Sequence, residues 1–203
     1  MENKKEPFAN CNCGYCQKWG WPSLWHIPKL NLHWFETPKN GTVSIKWGHK
    51  RRHHITVHRK PETSIIVVWR DPVDRFKSII KHYFIKKGGR YSFGVQFLER
   101  NEKDINKMSK SEIVDFVLDN LDKLTTVDEV HHFYPQVAFI KDDFYNNFEF
   151  IQMKDICKRF CVNTLNVSQK VELQFTETQI GKIKEIYKKD YEFYNKHIKQ
   201  VLK

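Results

Sequence analysis

The sequence predicts an α/β fold with a mostly parallel central sheet flanked by helices. Three observations carry this. "TSIIVVW" (63–69) is a β-branched run too continuous for a sheet with one wet face, so it reads as a central, parallel strand. Phe76, Ile79, Ile80, Tyr83 and Phe84 follow at helical spacing, which predicts a helix over 73–86 with one face inward. Strand and helix signals keep alternating to the C-terminal end, with no internal repeat. At 203 residues and 40% hydrophobic content, the chain fits one domain able to bury a substantial core.

The elements follow in order. Residues 1–30 carry Cys, Trp and Pro without periodicity and read as an irregular arm, so the domain proper is expected at 31–203. "LNLHWF" (31–36) reads as a short buried strand, Val43 to about His49 as a helix start, and the alternating "HHITVH" (53–58) as a second strand. "KKGGR" ends the helix after the central strand, and 87–108 reads as a polar connection. Ser111-Glu-Ile opens a helix to about Leu124. "QVAFI" (136–140) and "FEFIQ" (148–152) read as strands, the second feeding a helix at 153–161. Ile180, Ile183, Tyr187, Tyr191 and Tyr194 mark a long amphipathic helix whose tyrosines pack.

The formal net charge of +11 points to an anionic partner, and the first sixty residues hold 11 Lys/Arg against 3 Asp/Glu. No run approaches the roughly 20 apolar residues of a membrane span, and "MENKKEPFAN" lacks the apolar core of a signal peptide. Five cysteines, three of them in Cys11-Asn-Cys13-Gly-Tyr-Cys16, fit reduced thiols or a metal better than a disulfide framework. A cytoplasmic protein is therefore expected. Cys11, Cys13 and Cys16 with His26 offer thiolate and imidazole ligands for zinc, but without the paired Cys-x2-Cys knuckles of a common finger, so no metal is assigned. Cys157 and Cys161, one helical turn apart, read as core thiols.

Chemistry concentrates where strands end. In a parallel α/β sheet, ligands bind beyond the carboxyl ends of the strands, and exposed amides there suit a phosphate. "PKNGTVS" (Pro38, Lys39, Asn40, Gly41, Thr42, Val43, Ser44) stands at such a point: Lys39 offers charge, Gly41 close backbone approach, Thr42 and Ser44 hydroxyls. It lacks the Gly-x4-Gly-Lys-Ser/Thr order of a Walker A loop, which disfavours a nucleoside triphosphatase or nucleotide kinase. "SIIVVWRDPVDRFKS" repeats the arrangement, with Arg70 at a strand's end and Ser78 within the following helix.

Together the two stretches resemble the sulfotransferases that use 3′-phosphoadenosine 5′-phosphosulfate (PAPS). Their first motif is approximately Pro-Lys-x-Gly-Thr after a strand; their second is a strand, Arg-Asp/Asn-Pro, then Arg and Ser in a helix. "HHFYPQ" (131–136) is similar to the His-x-x-Pro-Gln element of Golgi carbohydrate sulfotransferases, and "FEFIQMKDICKRF" with "LNVSQK" (165–170) to their later segments. The resemblance covers about 31–198. It implies a P-loop-like fold and transfer of a sulfuryl group from PAPS to an acceptor hydroxyl, expected on a carbohydrate. It further implies that Lys39, Gly41, Thr42 and Ser44 hold the 5′-phosphosulfate while Arg70 and Ser78 hold the 3′-phosphate. An arginine fork matches phosphate oxygens, and a surface pair of Arg70 with Asp71 or Asp74 is the alternative use of that side chain.

Sulfuryl transfer needs charge stabilisation on the leaving phosphate, a base, and alignment for in-line displacement. Lys39 suits the first. Histidine suits the base at neutral pH: His58, which precedes the Arg70 strand as a catalytic histidine does in several members, then His54 or His132, with Glu36 as a carboxylate alternative. The rival reading from another class is a basic nucleic-acid-binding protein with a zinc-stabilised N-terminal arm, for which "HKRRHH" (49–54) is the candidate surface; no nucleic-acid motif supports it.

Overall fold

A computed structural model describes residues 24–37, 39–49, 53–55, 64–85, 93–140, 148–163 and 171–199. Five strands form one sheet: β1 (Leu24–Ile27), β2 (Leu32–Phe35), β3 (His53–Ile55), β4 (Ile65–Trp69) and β5 (Phe148–Gln152), in the spatial order β3-β1-β2-β4-β5. β2, β4 and β5 pair in parallel, whereas β1 is antiparallel to both β2 and β3. Four of the five strands thus point the same way. The mixed α/β architecture with a mostly parallel sheet flanked by helices is as expected.

β4 is buried along its whole length. Its residues alternate between two faces: Ile66 and Val68 join Trp34 and Ile151 against Ile45 of α1 (Thr42–Gly48) and Ile156 and Phe160 of α6 (Ile156–Phe160). Ile65, Val67 and Trp69 join Phe35 and Phe150 against Ile140, Phe193 and Ile198. A strand with no wet face must be apolar at every position, which is why its sequence signal is continuous. Beyond the sheet lies a helical core built from α2 (Pro72–Ile80), α3 (Phe93–Arg100), α4 (Lys110–Asp119), α5 (Val127–Phe133) and α7 (Glu177–Ile186), centred on Phe76, Phe84, Phe97 and Phe133. Capping boxes open three of these helices, at Ser109/Glu112, Thr126/Glu129 and Thr176/Gln179.

Several expectations are corrected. Residues 24–27, expected within the irregular arm, form β1 at the heart of the antiparallel half, pairing on both sides. "QVAFI" is a 3₁₀ turn (Gln136–Phe139), because an aspartate from the C-terminal region captures its first amides and holds them off any strand ladder. The described part of 87–108 contains α3, whose few apolar residues Phe93, Phe97 and Leu98 nonetheless share one buried face. The long C-terminal helix breaks at Tyr187, which is buried with its hydroxyl donating to Phe133 O at 2.8 Å, and resumes as α8 (Lys188–Phe193). Cys161 is exposed, since its left-handed backbone (φ 50°) ends α6 and turns the side chain outward; Cys157 is half-buried.

After Ile80 the α2 chain continues as a π-helical turn (Lys81–Ile85) that carries Tyr83. Gly94 lets α3 approach it: a Cβ there would lie 2.5 Å from the Tyr83 carbonyl oxygen, a backbone atom that cannot rotate aside. Gly94→Ala is expected to cost about 1–3 kcal/mol, read as a lower midpoint in a urea melt; an unchanged midpoint would show that the turn tolerates displacement.

Candidate functional site

β2 and β4 are parallel neighbours, but their onward connections diverge: β2 leads through α1 to β3 on one side of the sheet, and β4 leads to β5 on the other. This is a topological switch point, the place in an open α/β sheet where a crevice forms beyond the strand ends. The segment 36–41 leaves β2 there and Arg70-Asp71 leaves β4.

The first loop is a tight turn. Asn40 N and Thr42 Oγ1 both donate to Thr37 O, at 3.2 and 3.0 Å, and Lys39 and Gly41 have left-handed backbones with φ of 66° and 79°. Gly41 meets that demand without strain, and a Cβ at this position would fall on Ile156 Cδ1 of α6. Thr42 therefore commits its hydroxyl proton to the turn, and Ser44 is buried.

Polar bonds weld this turn to the second loop. Asn40, 1% exposed, donates through Nδ2 to Val68 O at 2.7 Å and to Gln136 Oε1 at 2.6 Å. Gln136 then grips Arg70 at both backbone groups, accepting from its N at 3.2 Å and donating to its O at 2.8 Å. Arg70 Nη1 donates to Lys39 O at 3.0 Å. Asn40 Oδ1 is buried without a partner among the described residues. Such an acceptor costs about 1–3 kcal/mol unless a donor reaches it.

Beneath the weld lie two buried ionisable side chains, Asp190 and Arg75. Asp190 of α8, fully buried, accepts from Gln136 N at 2.9 Å and Val137 N at 3.0 Å. Burial pushes its carboxyl upward, while those two amides and Arg75 work in the other direction. Arg75 of α2 is equally enclosed and donates to Tyr134 O at 2.7 Å and His132 O at 2.9 Å. Burial lowers its affinity for the proton, which Tyr187 and Asp190 partly restore. Asp190, Arg75 and Gln136 share no local sequence pattern: the second motif marked Arg75 as its helix arginine and "HHFYPQ" marked Gln136, but nothing in the sequence marked Asp190.

Among the proposed anion-binding residues, Lys39 and Arg70 are brought together. Arg70 is half-buried, its charge opposed first by that burial, supported by Asp74, opposed by Arg75 and supported by Asp71. It forms no ion pair with either aspartate: Asp71 instead caps α2, accepting from Val73 N and Asp74 N. Ser78 sits in α2, which begins at Pro72 as the second motif requires. Pro38, His58 and the cysteines 11, 13 and 16 lie outside the described residues, as do the side chains of Val43 and His54.

His132 is linked to the first loop through a residue that the sequence reading passed over. Tyr83 Oη and His132 Nε2 are 2.7 Å apart, and Lys39 Nζ rests 4.4 Å from the centre of the Tyr83 ring. Helical spacing marked Tyr83 only as a packing residue. Glu36 is engaged on both oxygens, Oε1 to Lys46 Nζ at 2.5 Å and Oε2 from Trp25 Nε1 at 2.7 Å. His131 is held neutral, its pKa pulled to about 3 by burial first, then by His132, Arg75 and Lys46.

Among the described residues no group of three or more His, Cys, Asp or Glu side chains gathers to hold a metal ion, and no described helix is long and apolar enough to cross a membrane. No protein-family model, curated protein or solved structure matches the chain.

Two outcomes follow. Asp190→Ala leaves the buried Gln136 and Val137 amides without their acceptor and removes a charge that supports Arg75, and should cost about 2–5 kcal/mol in a denaturant melt; a loss under about 1 kcal/mol would deny Asp190 its central place. His131 has a folded pKa far below its unfolded value, so the unfolded chain takes up the proton first and stability falls as pH drops from about 6.5 towards 3. Melts at pH 7 and 5 should show a smaller acid loss in His131→Gln than in the wild type.

Proposed function

We propose that the protein is a PAPS-dependent sulfotransferase of P-loop-like fold, acting on an acceptor hydroxyl of a carbohydrate. The observation that carries this reading is the Arg70 guanidinium: half-buried, without a carboxylate contact among the described residues, and bonded by a single N–H to the Lys39 carbonyl. A desolvated cation with donors to spare calls for an anion. Lys39 on the adjoining loop offers a second charge. A nucleotide with phosphates at both ends of its ribose would use both, whereas a binder of dispersed polyanions has no need of their convergence. Asn40 Oδ1 adds a buried acceptor at the same junction for a donor group of the ligand.

In this reading the acceptor oxygen bonds to sulfur as the bond from sulfur to the 5′-phosphate oxygen breaks, and the bonding pair leaves with the phosphate. Lys39 offsets the charge growing there. Gly41 and the amides of its turn line the phosphate side; Arg70 and Ser78 take the 3′-phosphate. Of the candidate bases, His132 has the best support, because its Nε2 meets Tyr83 Oη beside Lys39. Proton removal then falls to the Tyr83–His132 pair, with His54 and His58 as the remaining histidine candidates.

Titration calorimetry with adenosine 3′,5′-bisphosphate, against ADP, tests the reading. Binding should require the 3′-phosphate and weaken roughly ten- to a hundredfold in Arg70→Ala, the worth of one or two charged hydrogen bonds at about 1.5–3 kcal/mol. Lys39→Ala should weaken binding too. Equal, weak binding of both nucleotides by every variant would refute the assignment.

A further inference from the structure

We propose that Tyr83 is a positioning residue for Lys39: its ring holds the lysine ammonium at the loop after β2, where the 5′-phosphate side of the nucleotide is bound. The inference rests on the sulfotransferase reading and gives the ring of Tyr83 a task separate from that of its hydroxyl. Lys39 Nζ lies 4.4 Å from the ring centre, inside the range of about 6 Å over which a cation is drawn to an aromatic face.

A lysine at this place needs such a hold. Its four-carbon stem is flexible and its ammonium strongly hydrated, so charge alone does not fix the head beside an anion. The backbone of Lys39 is already fixed: it is left-handed within the Thr37 turn, and its carbonyl accepts from Arg70 Nη1. Tyr83 supplies a second anchor at the far end of the stem. A ring face does so without cancelling the charge, whereas a carboxylate partner, such as Glu36 provides for Lys46, neutralises the lysine it holds.

The ring is itself clamped. Phe93, at the start of α3, lies against it with ring centroids 4.0 Å apart and 33° between the planes. His132 of α5 meets its hydroxyl at 2.7 Å, with the two ring centroids 4.7 Å apart. Its backbone belongs to the π-helical turn, which α3 approaches so closely that a Cβ on Gly94 would strike the Tyr83 carbonyl oxygen. A side chain fixed by α3, by α5 and by its own turn cannot follow the lysine, so the lysine settles on it. A contact of modest strength becomes effective in positioning when the group that provides it has little freedom left to lose.

The test is titration calorimetry of the full chain with adenosine 3′,5′-bisphosphate, using Tyr83→Leu and Tyr83→Phe, each alone and combined with Lys39→Ala. Tyr83→Leu should weaken binding roughly three- to tenfold, whereas Tyr83→Phe, which keeps the ring and loses the hydroxyl, should bind within about twofold of the wild type. In the Lys39→Ala background neither change should cost more than about twofold, because the partner of the ring is gone. A general disturbance of the fold would weaken binding equally in both backgrounds, and urea melts of each variant report it; Tyr83→Met replaces Tyr83→Leu if the latter does not fold. Equal losses in both backgrounds, or a loss in Tyr83→Phe as large as that in Tyr83→Leu, would overturn the positioning role and leave the nucleotide site standing. Absence of binding by the wild type, or indifference to Lys39→Ala, would instead remove the sulfotransferase reading and the inference with it.

Discussion

The structure turns on one requirement: polar groups at the carboxyl edge of the sheet must be paired once the helical core covers them. Gln136 meets most of it. Its side chain holds Arg70 at both backbone groups and accepts from Asn40, while its own amide rests on Asp190. A single glutamine thus joins the loop after β2, the loop after β4 and the C-terminal helix. Each bond is worth only about 0.5–1.5 kcal/mol net, but leaving any of these buried groups unpaired costs more than forming the bond gains. That asymmetry makes the junction a fixed point rather than a loose contact.

The charges follow from the same requirement. Asp190 accepts from two amides, which favours the carboxylate, as does the charge of Arg75, while burial is the largest influence and raises its pKa. A buried carboxyl of this kind adds little net stability over apolar packing, yet removing it is costly. Its effect here is positional. It holds the 136–139 turn where Gln136 can reach both loops, and Arg75 also engages the carbonyls of His132 and Tyr134, setting the end of α5 beside Tyr83.

The parallel half of the sheet ends in the loops where Lys39 and Arg70 converge. The π-helical turn after α2 belongs with that junction, because it carries Tyr83 towards both Lys39 and His132, and π turns of this kind recur at functional sites.

The α/β class, the central strand, α2, β5 and the two loops at Pro38–Ser44 and Arg70–Ser78 were legible in the sequence, because they depend on local signals: continuous β-branched burial, helical spacing, and a Lys-Asn-Gly turn that needs a left-handed backbone. β1 was not, since four residues of mixed polarity acquire strand character only by pairing on both sides. The turn at 136–139 was misread for a related reason: its apolar run suits a strand, but Asp190, 54 residues away for Gln136, takes the amides a ladder would use. The same holds for the site. The two motifs together pointed to Lys39 and Arg70; that Gln136 welds their loops and that Tyr83 stands between Lys39 and His132 are matters of long-range hydrogen bonding and contact, which only the folded chain decides.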